Sequence, residues 1–242
     1  MKTQTRKKSS KKSAEPFSLV PRAHQRQMYE LIQRARDVRE HSGTEAPDLD
    51  VAEIAACLAL RSSDPVVAAP WSIGSRLARN ADTLLAPEAA PTLDSNWAVL
   101  TAQPTPGPLQ NLTAFAVAHL SGLHNPCALV SFGDLHSDPQ WRNAIRVAAR
   151  QRLPILYIVH NDSTTRGKAD LRTIQAEYGV PVILVDHSDA IAIYRVTTEA
   201  AHNARVGRGA TVIAATRVSS PTDPLEALKA YMERHGAWPH EM

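Results

Sequence analysis

The chain has 242 residues, 43% of them hydrophobic and 5% aromatic, with ten glycines and a formal net charge of +3. That is enough apolar material for one substantial core, and it excludes a fibrous or wholly disordered chain. The first twelve residues, MKTQTRKKSSKK, hold six Lys/Arg and no acid, so the remainder is mildly acidic, and too few aromatics follow for a base-stacking platform.

Residues 1–20 read as a basic, Ser-rich, solvated tail and residues 21–242 as a single domain. No apolar run approaches the roughly 18 residues that would span a bilayer, and charges stand where a signal peptide needs an apolar segment. The expectation is a soluble, cytoplasmic chain with no membrane partner and no specific nucleic-acid partner. Cys57 and Cys127 lie in separate apolar runs and fit buried thiols better than a disulfide or a metal pair.

Pro21 opens a segment in which Met28, Leu31, Ile32, Ala35 and Val38 recur at helical spacing. In DLDVAEIAACLALRSSDP, Asp50 is placed to cap a helix carrying Val51, Ile54, Ala55 and Leu58, stopped before Pro65. Ser75 to Leu85 reads as a third, shorter helix. The stretch from Pro87 to Pro108 holds five prolines, which remove backbone donors and block helix, so it reads mostly as loop. Helical periodicity resumes from Leu109 to Leu120, with Ala114, Phe115, Ala116, Val117 and Ala118 spread nearly all round the helix, a pattern that calls for cover on several sides.

From Cys127 short apolar runs alternate with amphipathic segments. CALVSF, PILYIV, VPVILV and ATVIAAT read as strands, with helices near Gln140–Arg150, Lys168–Tyr178 and Ser188–Val206 between them. Repeated βα units predict an α/β fold, a mostly parallel sheet with helices on both faces. The last helix has Asp223 as cap, Pro224 in its first turn, Leu225, Leu228 and Met232 inward, and Gly236 as stop.

Two of these strands end on polar pairs, Gly133-Asp134 and Asn161-Asp162. Ligands of open parallel sheets gather outside the carboxyl ends of the strands, and hard oxygen donors converging there suit magnesium. On pattern alone the same residues also serve as turn and cap residues, and both readings stay open. His136 and His160 flank the edge without a third group to orient them. His124 and Cys127 lack the second pair that a structural zinc site needs. Ser163-Thr164-Thr165-Arg166-Gly167 reads as an ordinary polar loop that offers hydroxyls and a cation.

The order strand, Gly-Asp, helix, strand, Asn-Asp resembles the thiamine-diphosphate motif. VPVILVDHSDAIAIYRVTTEAAHNARVGRGATVIAAT, DPLEALKAYMERHGAW and LDVAEIAACLALRSSD resemble segments of alpha subunits of the decarboxylating component of 2-oxo acid dehydrogenases, such as pyruvate dehydrogenase. The likeness runs from about Pro21 to Trp238. It implies a thiamine-diphosphate-binding fold, thiamine diphosphate and Mg²⁺ as cofactors, and a beta-like subunit or self-association. Carried over by position, Gly133, Asp134, Asn161 and Asp162 are the cofactor-binding residues. Asp134, Asp162 and the carbonyl of Thr164 are the metal ligands.

Departures accompany the likeness. Leu135 replaces the motif's second glycine, Asp162 stands for an asparagine, and AAPWSIGSR takes the place of a phosphate-binding Tyr-Arg stretch, with Trp71 or Arg76 the available substitutes. ATRVSSPTDP replaces a histidine-bearing active-site loop. Two readings follow: an alpha-subunit-like component of a 2-oxo acid dehydrogenase, or a non-catalytic descendant that keeps the fold to pair with a beta-like subunit.

Overall fold

The computed structural model describes residues 18–42, 49–69, 72–79, 97–99, 108–120, 123–135, 140–161, 165–217 and 223–238. Its strands are β1 (Val66–Ala68), β2 (Trp97–Val99), β3 (Ala128–Asp134), β4 (Ile155–Asn161), β5 (Val182–Asp186) and β6 (Thr211–Thr216). They form one sheet in the order β2-β1-β3-β4-β6-β5, and every neighbouring pair is parallel. The four strands read from apolar runs are β3 to β6. β1 and β2 were not foreseen: each has three residues, too few to show alternation, and β2 lies inside the proline-rich stretch expected as loop.

The helices are α1 (Arg22–Ser42), α2 (Asp50–Ala59), α3 (Ile73–Ala78), α4 (Pro108–Leu120), α5 (Trp141–Arg150), α6 (Thr165–Tyr178), α7 (Ala190–Asn203) and α8 (Pro224–Arg234). Side chains of a strand point alternately to the two faces, so each strand feeds two cores. Val66, Leu129, Leu156, Ile158 and Ile213 pack in one cluster with α1, α2, α3, α7 and α8. Val67, Val130, Phe132, Tyr157 and Val212 pack in the other with α4, α5 and α6. Both faces are covered, as the unbroken apolar strand runs require.

Local chemistry accounts for several boundaries. Asp223 accepts hydrogen bonds from the N–H groups of Leu225 at 2.8 Å and Glu226 at 3.3 Å, and Pro224 follows as the first helical residue. Gly236 ends that segment at φ +64°, a left-handed conformation that glycine adopts without strain. α7 is capped by Asp189, whose side chain accepts from the Ala192 N–H at 2.9 Å. It runs into a π-type turn over Ala204–Arg208, broken at Gly207 with φ +82°.

Three expectations shift. Val20, at the end of the expected tail, is buried, and Gln25 donates to its carbonyl at 2.7 Å, so the packed chain reaches back into residues 18–20. α3 begins at Ile73 and ends at Ala78, earlier than expected; positions 80–96 lie outside the described residues. Asp50 does not cap α2: Leu49 holds the cap position, and the Asp50 carboxylate turns to Arg39 of α1 and to the Gly74 N–H of α3 at 2.9 Å.

Candidate functional site

Asp134 and Asn161 close β3 and β4, which are parallel neighbours, so both lie at the same carboxyl edge of the sheet. Phe132 pairs with Val159 but Asp134 pairs with His160, so the register slips by one residue at Gly133. An extra residue of this kind re-aims the side chain that follows it, and it is recurrent beside binding sites. Gly133 is buried and Asp134 half-buried. Asn161 is buried, and its amide donates to the Thr216 hydroxyl at the end of β6 at 3.0 Å. The end of β4 is thereby tied to the end of the next strand in the sheet.

Asp162, Ser163 and Thr164 lie outside the described residues, as do Trp71 and His136. The structure therefore brings together Gly133, Asp134 and Asn161 of the expected set. Among the described residues no group of three His, Cys, Asp or Glu side chains converges as a metal site. The donors at the edge are nevertheless oxygen-bearing, the kind that Mg²⁺ accepts from one or two side chains plus phosphate and water. They fit the cofactor in kind.

Leu135 occupies a different place from the one its motif position implies. Its side chain is buried in the second cluster with Phe132, Trp141 and Ile145 rather than standing over the strand edge. The hydrophobic effect draws it inward, and the edge stays polar. Arg76, a candidate phosphate cation, lies on α3 beyond β1, where burial pulls its pKa below the ordinary value. Burial likewise pushes the Cys127 thiol up to about 12 and the Cys57 thiol to about 11, so neither is a ready metal ligand.

The sequence reading missed Glu53. It lies on α2, is almost wholly buried, and receives the Ser131 hydroxyl of β3 on one oxygen and the Ser75 N–H of α3 on the other at 3.1 Å. Burial pushes its carboxyl up to about 7, against the hydrogen bonds from the Ser131 hydroxyl and the Ser75 N–H that pull it down and with Asp50 adding to the rise. α3 reaches this carboxyl because residue 74 is glycine: a β-carbon there would sit 2.6 Å from the Asp50 carbonyl oxygen. The signal was legible in VAEIAACLAL, where Glu53 stands among residues that leave no polar face.

No protein-family model matches the chain. The alpha subunit of the pyruvate dehydrogenase E1 component from two strains of Staphylococcus epidermidis is 28% identical over 146 residues, covering 47% of this chain and 40% of the relative. The match thus spans well under half the length of these relatives. A transketolase from Pichia stipitis, solved with xylulose 5-phosphate, superposes with a TM-score of 0.55 at 14% identity, covering 86% of this chain and 38% of that one. At that identity the likeness speaks for fold alone. With the parallel sheet helix-covered on both faces, it establishes the expected architecture: this chain has an α/β fold of the thiamine-diphosphate-binding type.

Proposed function

We propose that the chain is an alpha-subunit-like component of the thiamine-diphosphate-dependent 2-oxo acid dehydrogenase family. The observation that carries this reading is the placement of Asp134 and Asn161 at one carboxyl edge of adjacent parallel strands, with the slip at Gly133 turning Asp134 out of the regular alternation. Asp134, Asp162 and the Thr164 carbonyl would hold Mg²⁺, and Gly133 and Asn161 would border the diphosphate that the ion grips. Asn161 is fixed for this by its bond to Thr216. Thiamine diphosphate, when bound, supplies the decarboxylation chemistry itself. A second chain, beta-like or another copy, would supply the other half of the cofactor site, since the described residues form one such sheet.

The second reading is a non-catalytic descendant that retains the fold for pairing with a beta-like subunit. The other departures favour it: AAPWSIGSR and ATRVSSPTDP stand where the family's phosphate-binding and histidine-bearing stretches would lie. Calorimetric titration of the purified chain, alone and with a beta-like chain, using thiamine diphosphate with Mg²⁺, separates the two. Mg²⁺-dependent binding that Asp134→Ala abolishes supports the first. Absence of binding in both mixtures overturns it and leaves the second.

A further inference from the structure

We propose that Glu53 is a proton-linked clasp: by exchanging one proton with solvent it sets how firmly α2 and the first turn of α3 are held to β3. The geometry is a three-way junction. One carboxyl oxygen takes the Ser131 hydroxyl from the middle of β3, and the other takes the Ser75 N–H from α3. Asp50, one helical turn earlier, takes the neighbouring Gly74 N–H at 2.9 Å. Two acids on one face of α2 therefore receive consecutive N–H groups of α3, which follows β1 at the same edge of the sheet.

The charges facing Glu53 make its ionised form costly. Asp50 on α2 repels it, and Arg39 of α1 is engaged with Asp50. Cys57 on the next turn stays a neutral thiol, its pKa raised by burial against the pull of Arg79, which follows α3. β3 offers only the Ser131 hydroxyl, and among the described residues no cation forms an ion pair with Glu53. In the charged form both oxygens accept. On protonation the carboxyl becomes a donor, with the Ser131 hydroxyl as its acceptor, and the junction loses a buried charge.

The folded carboxyl titrates near 7 rather than at its ordinary 4.5. A pKa raised on folding contributes stability that is complete below the unfolded value and is lost as pH rises through the folded one. Between pH 4.5 and 7 the unfolded chain gives up this proton while the folded chain keeps it.

The 242-residue chain is unfolded in urea from pH 5 to 8.5 as wild type and as Glu53→Gln, with hydrogen exchange followed over residues 72–79. The wild-type folding constant falls on the order of 100-fold more than that of Glu53→Gln across this range. Exchange in residues 72–79, corrected for its intrinsic pH dependence, rises in wild type alone. Ser131→Ala removes a bond to the charged form and moves the wild-type transition to higher pH. Parallel curves for wild type and Glu53→Gln overturn the clasp, as does a global difference with no change in residues 72–79. If Glu53→Gln does not fold, an NMR titration of the carboxyl in wild type decides: a midpoint near 7 supports the clasp, and one near 4.5 overturns it.

Discussion

The carboxylates of this protein sit in two settings. Asp134 stands half-buried at the carboxyl edge of the sheet, while Glu53 and Asp64 are buried. At the edge, water and a bound cation can neutralise a charge. In the buried setting only protein groups can, so Asp64 is held by Arg205 and by the Arg61 N–H at 2.8 Å, and Glu53 by the Ser131 hydroxyl and the Ser75 N–H. Residues of one chemical class thus divide into candidate ligands and structural fasteners according to solvation alone.

That division is tested first where the largest effect is expected. Arg205→Ala strands the Asp64 carboxylate, which is 3% exposed, beside a gap. Urea denaturation should show a loss of about 3–5 kcal/mol, as for other broken buried ion pairs. A loss under about 1 kcal/mol would mean that water reaches Asp64 and that the two settings do not differ.

Leu135→Gly comes next. Because Leu135 belongs to the second cluster, its removal should cost about 3 kcal/mol or more and leave thiamine-diphosphate affinity no better. A marked gain in affinity by calorimetry would put the side chain back over the strand edge. Gly74→Ala forces a methyl group against the Asp50 carbonyl and should cost about 2 kcal/mol while weakening both helix-to-helix bonds to α3. Thermal melts of this variant sharpen the reading of the Glu53 junction, because backbone there has no flexible end to move.

Smaller effects are expected at the half-buried carboxylates. Against the upward pull of burial, the Leu225 and Glu226 N–H groups and Arg36 hold Asp223 below its ordinary pKa. Asp223→Ala should cost about 1 kcal/mol through loss of the cap, and that difference should vanish as acid protonates the wild-type carboxyl. Asp134→Ala should change stability least, by about 0.5 kcal/mol, while removing any Mg²⁺-dependent binding. A loss as large as that for Arg205→Ala would make Asp134 another fastener and remove the basis for a cofactor edge.

Strands β3 to β6, the helices between them and the caps at Asp223 and Gly236 are legible in the residue pattern. Each rests on local physics: a long enough apolar run, a 3.6-residue period, or a side chain that bonds its own backbone. The same local pattern put Asp134 and Asn161 at strand ends, and their shared edge followed from the rule that successive βα units lie parallel. Tertiary structure alone decided what lies far apart in sequence. β1 and β2 exist because β3 offers its edge to β1 and β1 in turn to β2, since three residues carry no period of their own. Asp50 left its expected cap for Arg39 and Gly74, Leu135 turned from the motif into the core, and Glu53 found Ser131 across 78 positions of chain. A carboxyl's protonation is set by the water that folding removes and the donors that folding supplies, and those are properties of the packed chain rather than of its neighbours in sequence.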